Sequence, residues 1–119
     1  MREILFRGKS VTDGRWVFGD LSNYGDYRAI TTTRGFSIID SCEVIPETVG
    51  QYTGLKDKNG LTKIFEYDII DANGRKVGNY YEHSNLLKDG TCFLVARMGT
   101  KEWSRSEQEA IKRGCKYAE

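Results

Sequence analysis

At 119 residues, with 39% hydrophobic residues, 2 Trp, 7 Tyr and 5 Phe, the chain is about one domain long and describes a folded globule rather than a disordered segment. A formal net charge of +1 excludes the overall basic footprint that announces a nucleic-acid binder, although it does not exclude a local basic face. No run approaches the roughly 20 consecutive apolar residues of a membrane-spanning helix.

Thirteen glycines against a single proline suit a protein of many tight turns. The pairs Asp13-Gly14, Asn59-Gly60, Asn73-Gly74 and Asp89-Gly90 are all favoured in two-residue hairpin turns, because both positions tolerate positive φ. The first apolar run, Ile4 to Lys9, puts Ile4 and Phe6 on one face at period two. After Asp13-Gly14, Arg15-Trp16-Val17-Phe18 repeats the pattern, and the two runs read as one antiparallel hairpin. Tyr27 to Arg34 is rich in β-branched residues, and Phe36 to Ile39 pairs with it across Arg34-Gly35. Gly50, Gly54 and Gly60 match neither a phosphate-binding loop nor a dinucleotide fingerprint, and read as positive-φ turns.

Lys63 to Ile70 reads as a strand entered from Asn59-Gly60, and Val77 to Tyr81 returns beside it across Asn73-Gly74. Thr91 to Arg97 reads as a buried strand. The period then changes. Ser104-x-x-Glu107 and Ser106-x-x-Glu109 are capping-box candidates, and Ala110, Ile111, Gly114, Cys115 and Ala118 recur at helical spacing. These predict one C-terminal helix at about residues 104–118, with Gly114 costing it about 1 kcal/mol relative to alanine. The expected core comprises Ile4, Phe6, Trp16, Phe18, Ile39, Val49, Ile64, Ile69, Phe93, Val95, Trp103 and Ile111.

Two blocks resemble the YopX protein family, small proteins carried mainly by bacteriophages and prophages. One is Met1-Arg2-Glu3-Ile4-Leu5-Phe6-Arg7-Gly8 followed by Arg15-Trp16-Val17-Phe18-Gly19. The other is Glu47-Thr48-Val49-Gly50-Gln51-Tyr52-Thr53-Gly54-Leu55, with the Asp57-Lys58-Asn59-Gly60 turn and the acidic strand after it. The resemblance covers residues 1–70 and ends near Asp71. It departs from the family at Tyr67, where glycine is usual, and in a spacer, Leu61-Thr62-Lys63, that is one residue longer. The resemblance implies a buckled, barrel-like β-sheet and supplies no catalytic residues to carry over.

The remaining chemistry is sparse. His83 is the only histidine, so a two-histidine metal site cannot form, and no catalytic triad is signalled around it. Cys42, Cys92 and Cys115 are widely spaced, without a C-x-x-C, and read as buried reduced thiols. Glu66 and Asp68, at i and i+2 on one strand, either line its solvent face or, with Asp57 and Asp71 nearby, hold a divalent cation such as Mg²⁺ or do acid–base work. Arg2, Arg7, Arg15, Arg28 and Arg34 are interleaved with Trp16, Tyr24, Tyr27 and Phe36. They are either surface arginines beside core aromatics or a surface for phosphate, nucleotide or single strands. Arg105, Lys112, Arg113 and Lys116 stand opposite the apolar stripe of the predicted helix, as a solvated face or as a contact for an acidic partner.

The combined expectation is a single domain spanning 1–119, with 71–119 as a candidate subdomain. Its fold is α+β and predominantly β: a curled, barrel-like antiparallel sheet of hairpins with one C-terminal helix. The expected function is a non-enzymatic phage or prophage accessory protein of the bacterial cytoplasm, without cofactor or metal and without membrane association. It would bind a host or phage protein, in counter-defence, with homo-oligomer formation open. Partner-binding candidates are Arg15, Arg28, Arg34, Arg105, Lys112 and Arg113. The alternative is a nucleotide- or nucleic-acid-binding module using arginines and aromatics on the sheet.

Overall fold

The computed structural model describes residues 3–34 and 37–118, apart from the side chains of residues 33, 34 and 37–39. It divides the chain into two units, Ile4–Gln51 and Tyr52–Glu119 with Met1–Glu3.

In the first unit, β1 (Phe6–Lys9), β2 (Trp16–Asn23), β3 (Arg28–Arg34) and β4 (Ser37–Val44) are joined antiparallel in sequence order. The Asp13-Gly14 turn closes the first hairpin as expected, with Gly14 N–H donating to Ser10 C=O and Ser10 N–H to Arg15 C=O. The end of β4 returns to the end of β1: Ile45 N–H donates to Lys9 C=O and Val11 N–H to Glu43 C=O. The core holds Ala29, Ile30 and Val44, all nearly inaccessible. Gly19 is obligatory there, since a Cβ on it would lie 2.4 Å from the Thr31 carbonyl oxygen. Phe18 and Ile4, expected inside, are 48% and 67% exposed. Gly35, Phe36 and the Ile39 side chain lie outside the described residues.

Strand β5 (Gly50–Lys56) runs from the first unit into the second, its first two residues pairing with β1 through Phe6↔Gln51 and Arg7↔Gly50. Of the three glycines read as turns, Gly50 is ordinary strand, Gly54 is a positive-φ residue (φ 91°) inside β5, and Gly60 (φ 76°) closes the turn from Asp57. In the second unit β5 pairs with β6 (Lys63–Phe65) and with β10 (Lys116–Tyr117). A separate sheet has the order β8-β7-β9, from β7 (Asp68–Ile70), β8 (Lys76–Asn79) and β9 (Phe93–Leu94).

The single strand expected over Lys63 to Ile70 is thus two strands in two sheets. Tyr67 breaks it: at φ 70° it is the one positive-φ residue other than glycine among the described residues. This is where the YopX-like pattern carries glycine, and a tyrosine there bears the Cβ–carbonyl crowding glycine escapes. Asp68 holds the turn by accepting from Phe65 N–H at 2.7 Å. Because the chain turns here, β7 founds a second sheet, and no closed barrel is present among the described residues. The observed class is α+β, predominantly antiparallel β with a few short helices.

Helix α1 (Tyr80–His83) replaces the end of the strand expected at Val77 to Tyr81. Asn79 caps it, accepting from Tyr81 and Glu82 N–H while its own Nδ2 donates to Glu82. His83 Nδ1 accepts from Asn79 N–H at 3.2 Å, which gives the lone histidine a structural place. The turn expected at Asp89-Gly90 does not join paired strands, and of the run Thr91 to Arg97 only Phe93 and Leu94 are in a strand.

Helix α2 (Trp103–Lys112) is shorter than the expected 104–118. Neither candidate capping box forms: the N-cap is Glu102 without a side-chain cap. Gly114, read above as a modest cost inside the helix, ends it. At φ 111° its N–H donates to Ile111 C=O while Cys115 N–H donates to Ala110 C=O, the paired bonds of a Schellman stop. The core of this unit joins Leu55, Ile64, Ile70, Val95, Ala110 and Cys115, with Phe93 and Trp103 against it. Ile111, expected inside, is 49% exposed.

Two outcomes follow from these contacts. Tyr67→Gly relieves left-handed strain of about 1–2 kcal/mol but removes the edge contact of the Tyr67 and Tyr81 rings, 5.8 Å apart, worth about 0.5–1.5 kcal/mol. Chemical denaturation is expected to show a small net change in the intact protein and a clear stabilisation by Tyr67→Gly in a Tyr81→Ala background. Burial also raises the Cys115 thiol from 9.0 to about 11. The unfolded thiol therefore ionises first, and the Cys115 contribution, complete below pH 9, is lost as pH rises towards 11. Stability measured across that window is expected to fall more steeply in the native protein than in Cys115→Ala.

Candidate functional site

A half-open cleft of about 230 Å³ lies between β9 and α2, lined by Phe93, Leu94, Arg105, Ser106, Glu109 and Arg113. Helical spacing produces the α2 side of it, because Arg105 and Glu109 are one turn apart and Arg113 follows one turn later. Ser106 ties the two walls. Its buried Oγ accepts from Ala96 N–H at 2.9 Å and donates to Leu94 C=O at 3.4 Å.

Arg113 is fixed from three sides. Its Nε donates to the Glu109 carboxylate at 2.7 Å, one Nη donates to Thr91 C=O at 2.9 Å, and its Cζ lies 4.8 Å from the centre of the Phe93 ring. The hydrogen bond from Arg113 holds the Glu109 carboxyl below the ordinary carboxylate range. Arg105 is different: it is exposed, lines the same cleft, and makes no hydrogen bond or ion pair among the described residues. Lys112 is exposed on the same helix but does not line the cleft. Two of the three candidates at the C-terminal end, Arg105 and Arg113, thus come together, and they do so with different freedom.

The arginines of the first unit are not gathered. Arg15 is exposed and loosely paired with Asp13 at 3.9 Å, just before the start of β2. Arg28 pairs in register with Asn23, at the other end of the eight-residue β2. At about 3.3 Å per residue the two ends are roughly 23 Å apart. Arg34 ends β3 and its side chain lies outside the described residues. Arg7 is buried at 3% exposure, its guanidinium 4.6 Å from the Trp16 ring centre, with Lys9 Nζ at 5.7 Å. Beside Arg28, the exposed Tyr24 and Tyr27 rings stack at 5.0 Å on the β2–β3 turn.

Glu66 and Asp68 do not share a solvent face. Both are buried, at 6% and 0% exposure. Glu66 accepts from Met98 N–H at 2.9 Å, whereas Asp68 accepts from Phe65 N–H and pairs with Lys76 Nζ at 3.1 Å. Among the described residues no three His, Cys, Asp or Glu side chains are grouped to hold a metal ion. A signal for this lay in the sequence. In Ile64-Phe65-Glu66-Tyr67-Asp68-Ile69-Ile70, bulky apolar residues occupy both parities, so strict alternation fails and the acids have no polar face to share. Cys115 is buried as expected, while Cys42 and Cys92 are half-buried; all three are free. No helix among the described residues is long and apolar enough to cross a membrane.

No curated protein and no solved structure is significantly similar to the chain. A family profile described as YopX protein matches residues 5–112, which carries the likeness past Asp71 and through α2. With the opening hairpin, the Gly50–Lys56 strand, β9 and α2 all inside that span, the chain belongs to the YopX protein family.

Proposed function

We propose that this is a non-enzymatic accessory protein of phage type that acts in the bacterial cytoplasm by gripping a host or phage protein, with counter-defence as its setting. The observation that carries this reading is the contrast between its acids and its open cleft. Glu66 and Asp68, the best-placed carboxylates for acid–base or metal chemistry, are bound to backbone amides and Lys76. The Arg105 side chain instead stands unengaged among the described residues, at a cleft with an aromatic wall. Arginine beside an aromatic is a combination enriched where partners bind most strongly. Membership of the YopX family agrees with a phage-type small protein. In the first unit, the bonds returning β4 to the end of β1 support a curled platform.

A second reading, nucleotide or nucleic-acid binding, has support in the stacked Tyr24–Tyr27 pair beside Arg28, since exposed rings offer a stacking surface and arginine a phosphate contact. The protein reading is favoured because Arg15 and Arg28, the described candidates of that group, lie at opposite ends of β2.

The test is affinity capture of the tagged full chain from phage-infected or prophage-carrying cells, with mass spectrometry of what is retained. One specific, near-stoichiometric protein is expected. Recovery of none, together with salt-sensitive calorimetric binding of oligonucleotides that Arg28→Ala weakens, would replace this reading with the second.

A further inference from the structure

Building on the proposed binding role, we infer that the cleft between β9 and α2 receives a carboxylate carried next to an apolar side chain on the surface of a protein partner. Charge decides the polar half of this assignment. Arg113 and Glu109 neutralise each other at 2.7 Å, and the remaining grip on Arg113 comes from Thr91 C=O and the Phe93 ring. Among the described residues the cleft is left with one uncompensated cation, Arg105, whose planar fork matches a carboxylate with two parallel hydrogen bonds. Phe93 and Leu94 supply the wall for the apolar neighbour.

Size and sign argue against the other anions. A volume of about 230 Å³ falls below the roughly 300 Å³ at which pockets begin to hold free small ligands. It suits one or two side chains presented by a larger body. A nucleic-acid backbone needs several cations in succession, whereas α2 offers Arg105 and Lys112 against Glu107 and Glu109. The Glu109 carboxylate in the wall also repels a phosphate dianion more strongly than a singly charged carboxylate.

The test is a nitrogen-15 NMR titration of the full chain with N-acetyl-leucyl-glutamate amide. N-acetyl-leucyl-glutamine amide, inorganic phosphate and a thymidine oligonucleotide serve as the other probes. The glutamate peptide is expected to shift the amides of Phe93, Leu94, Arg105 and Arg113 with a dissociation constant of about a millimolar, and Arg105→Gln to weaken it about tenfold with the rest of the spectrum unchanged. Equal shifts from the glutamine peptide, no cleft shifts by about 10 mM, or cleft shifts from phosphate or oligonucleotide alone would overturn the assignment. In the capture experiment, a partner held equally by Arg105→Gln overturns the cleft's role and leaves the binding function standing. Absence of any partner strikes the binding function itself.

Discussion

The second unit depends on the Asp68 carboxylate. It is wholly inaccessible, and a buried charge of this kind is tolerated only when it is paired and hydrogen-bonded. Phe65 N–H and Lys76 Nζ both engage one of its oxygens, Oδ2. Because the amide lies three residues upstream, the bond fixes the turn in which Tyr67 takes a left-handed backbone. Removing one partner from such a buried pair costs about 3–5 kcal/mol, a large share of the roughly 5–15 kcal/mol that keeps a domain folded.

From that turn the rest of the unit is laid out by backbone bonds. Tyr67 N–H reaches Val95 C=O, and Val95 N–H returns to Asp68 C=O, which sets β9 beside β7. The neighbouring Glu66 carboxylate takes Met98 N–H and so anchors the loop leading into α2. Ser106 then fastens α2 back to residues 94 and 96. The cleft is therefore the far end of a chain of contacts that begins in a buried carboxylate. The acids that in the sequence could have held a cation or moved a proton serve instead as the frame of that cleft.

The hairpins were legible because their signals are local. The Asp13-Gly14 pair lies between two alternating runs and specifies the β1–β2 hairpin locally, and the β-branched run from Tyr27 to Arg34 made the β3–β4 pairing legible in the same way. The β5 strand was hidden by its glycines, which resemble turns in sequence but here serve within the strand. The helix stop was hidden for a related reason: Gly114 in isolation weakens a helix, and only the bonds from its own N–H to Ile111 C=O and from Cys115 N–H to Ala110 C=O make it a terminator. The cap of α1 was written as Asn79-x-x-Glu82 but lay inside a run that also reads as strand. At the site, α2 brought Arg105 and Arg113 together through helical spacing. That Arg113 would be tied down and Arg105 left open depended on Phe93 and Thr91, more than twenty positions from Arg113 along the chain for one of them and twenty for the other. Local pattern does not carry contacts of that range.

Residue-resolved amide hydrogen exchange in the intact protein tests the role of the acidic turn most directly. If Glu66 and Asp68 hold the frame, the amides of Phe65 and Met98 exchange only when the whole unit unfolds, at the same rate as Val95 in the core. Rapid exchange of Phe65 and Met98 while Val95 stays protected would contradict it, since those amides would then open without disturbing the structure they are said to hold.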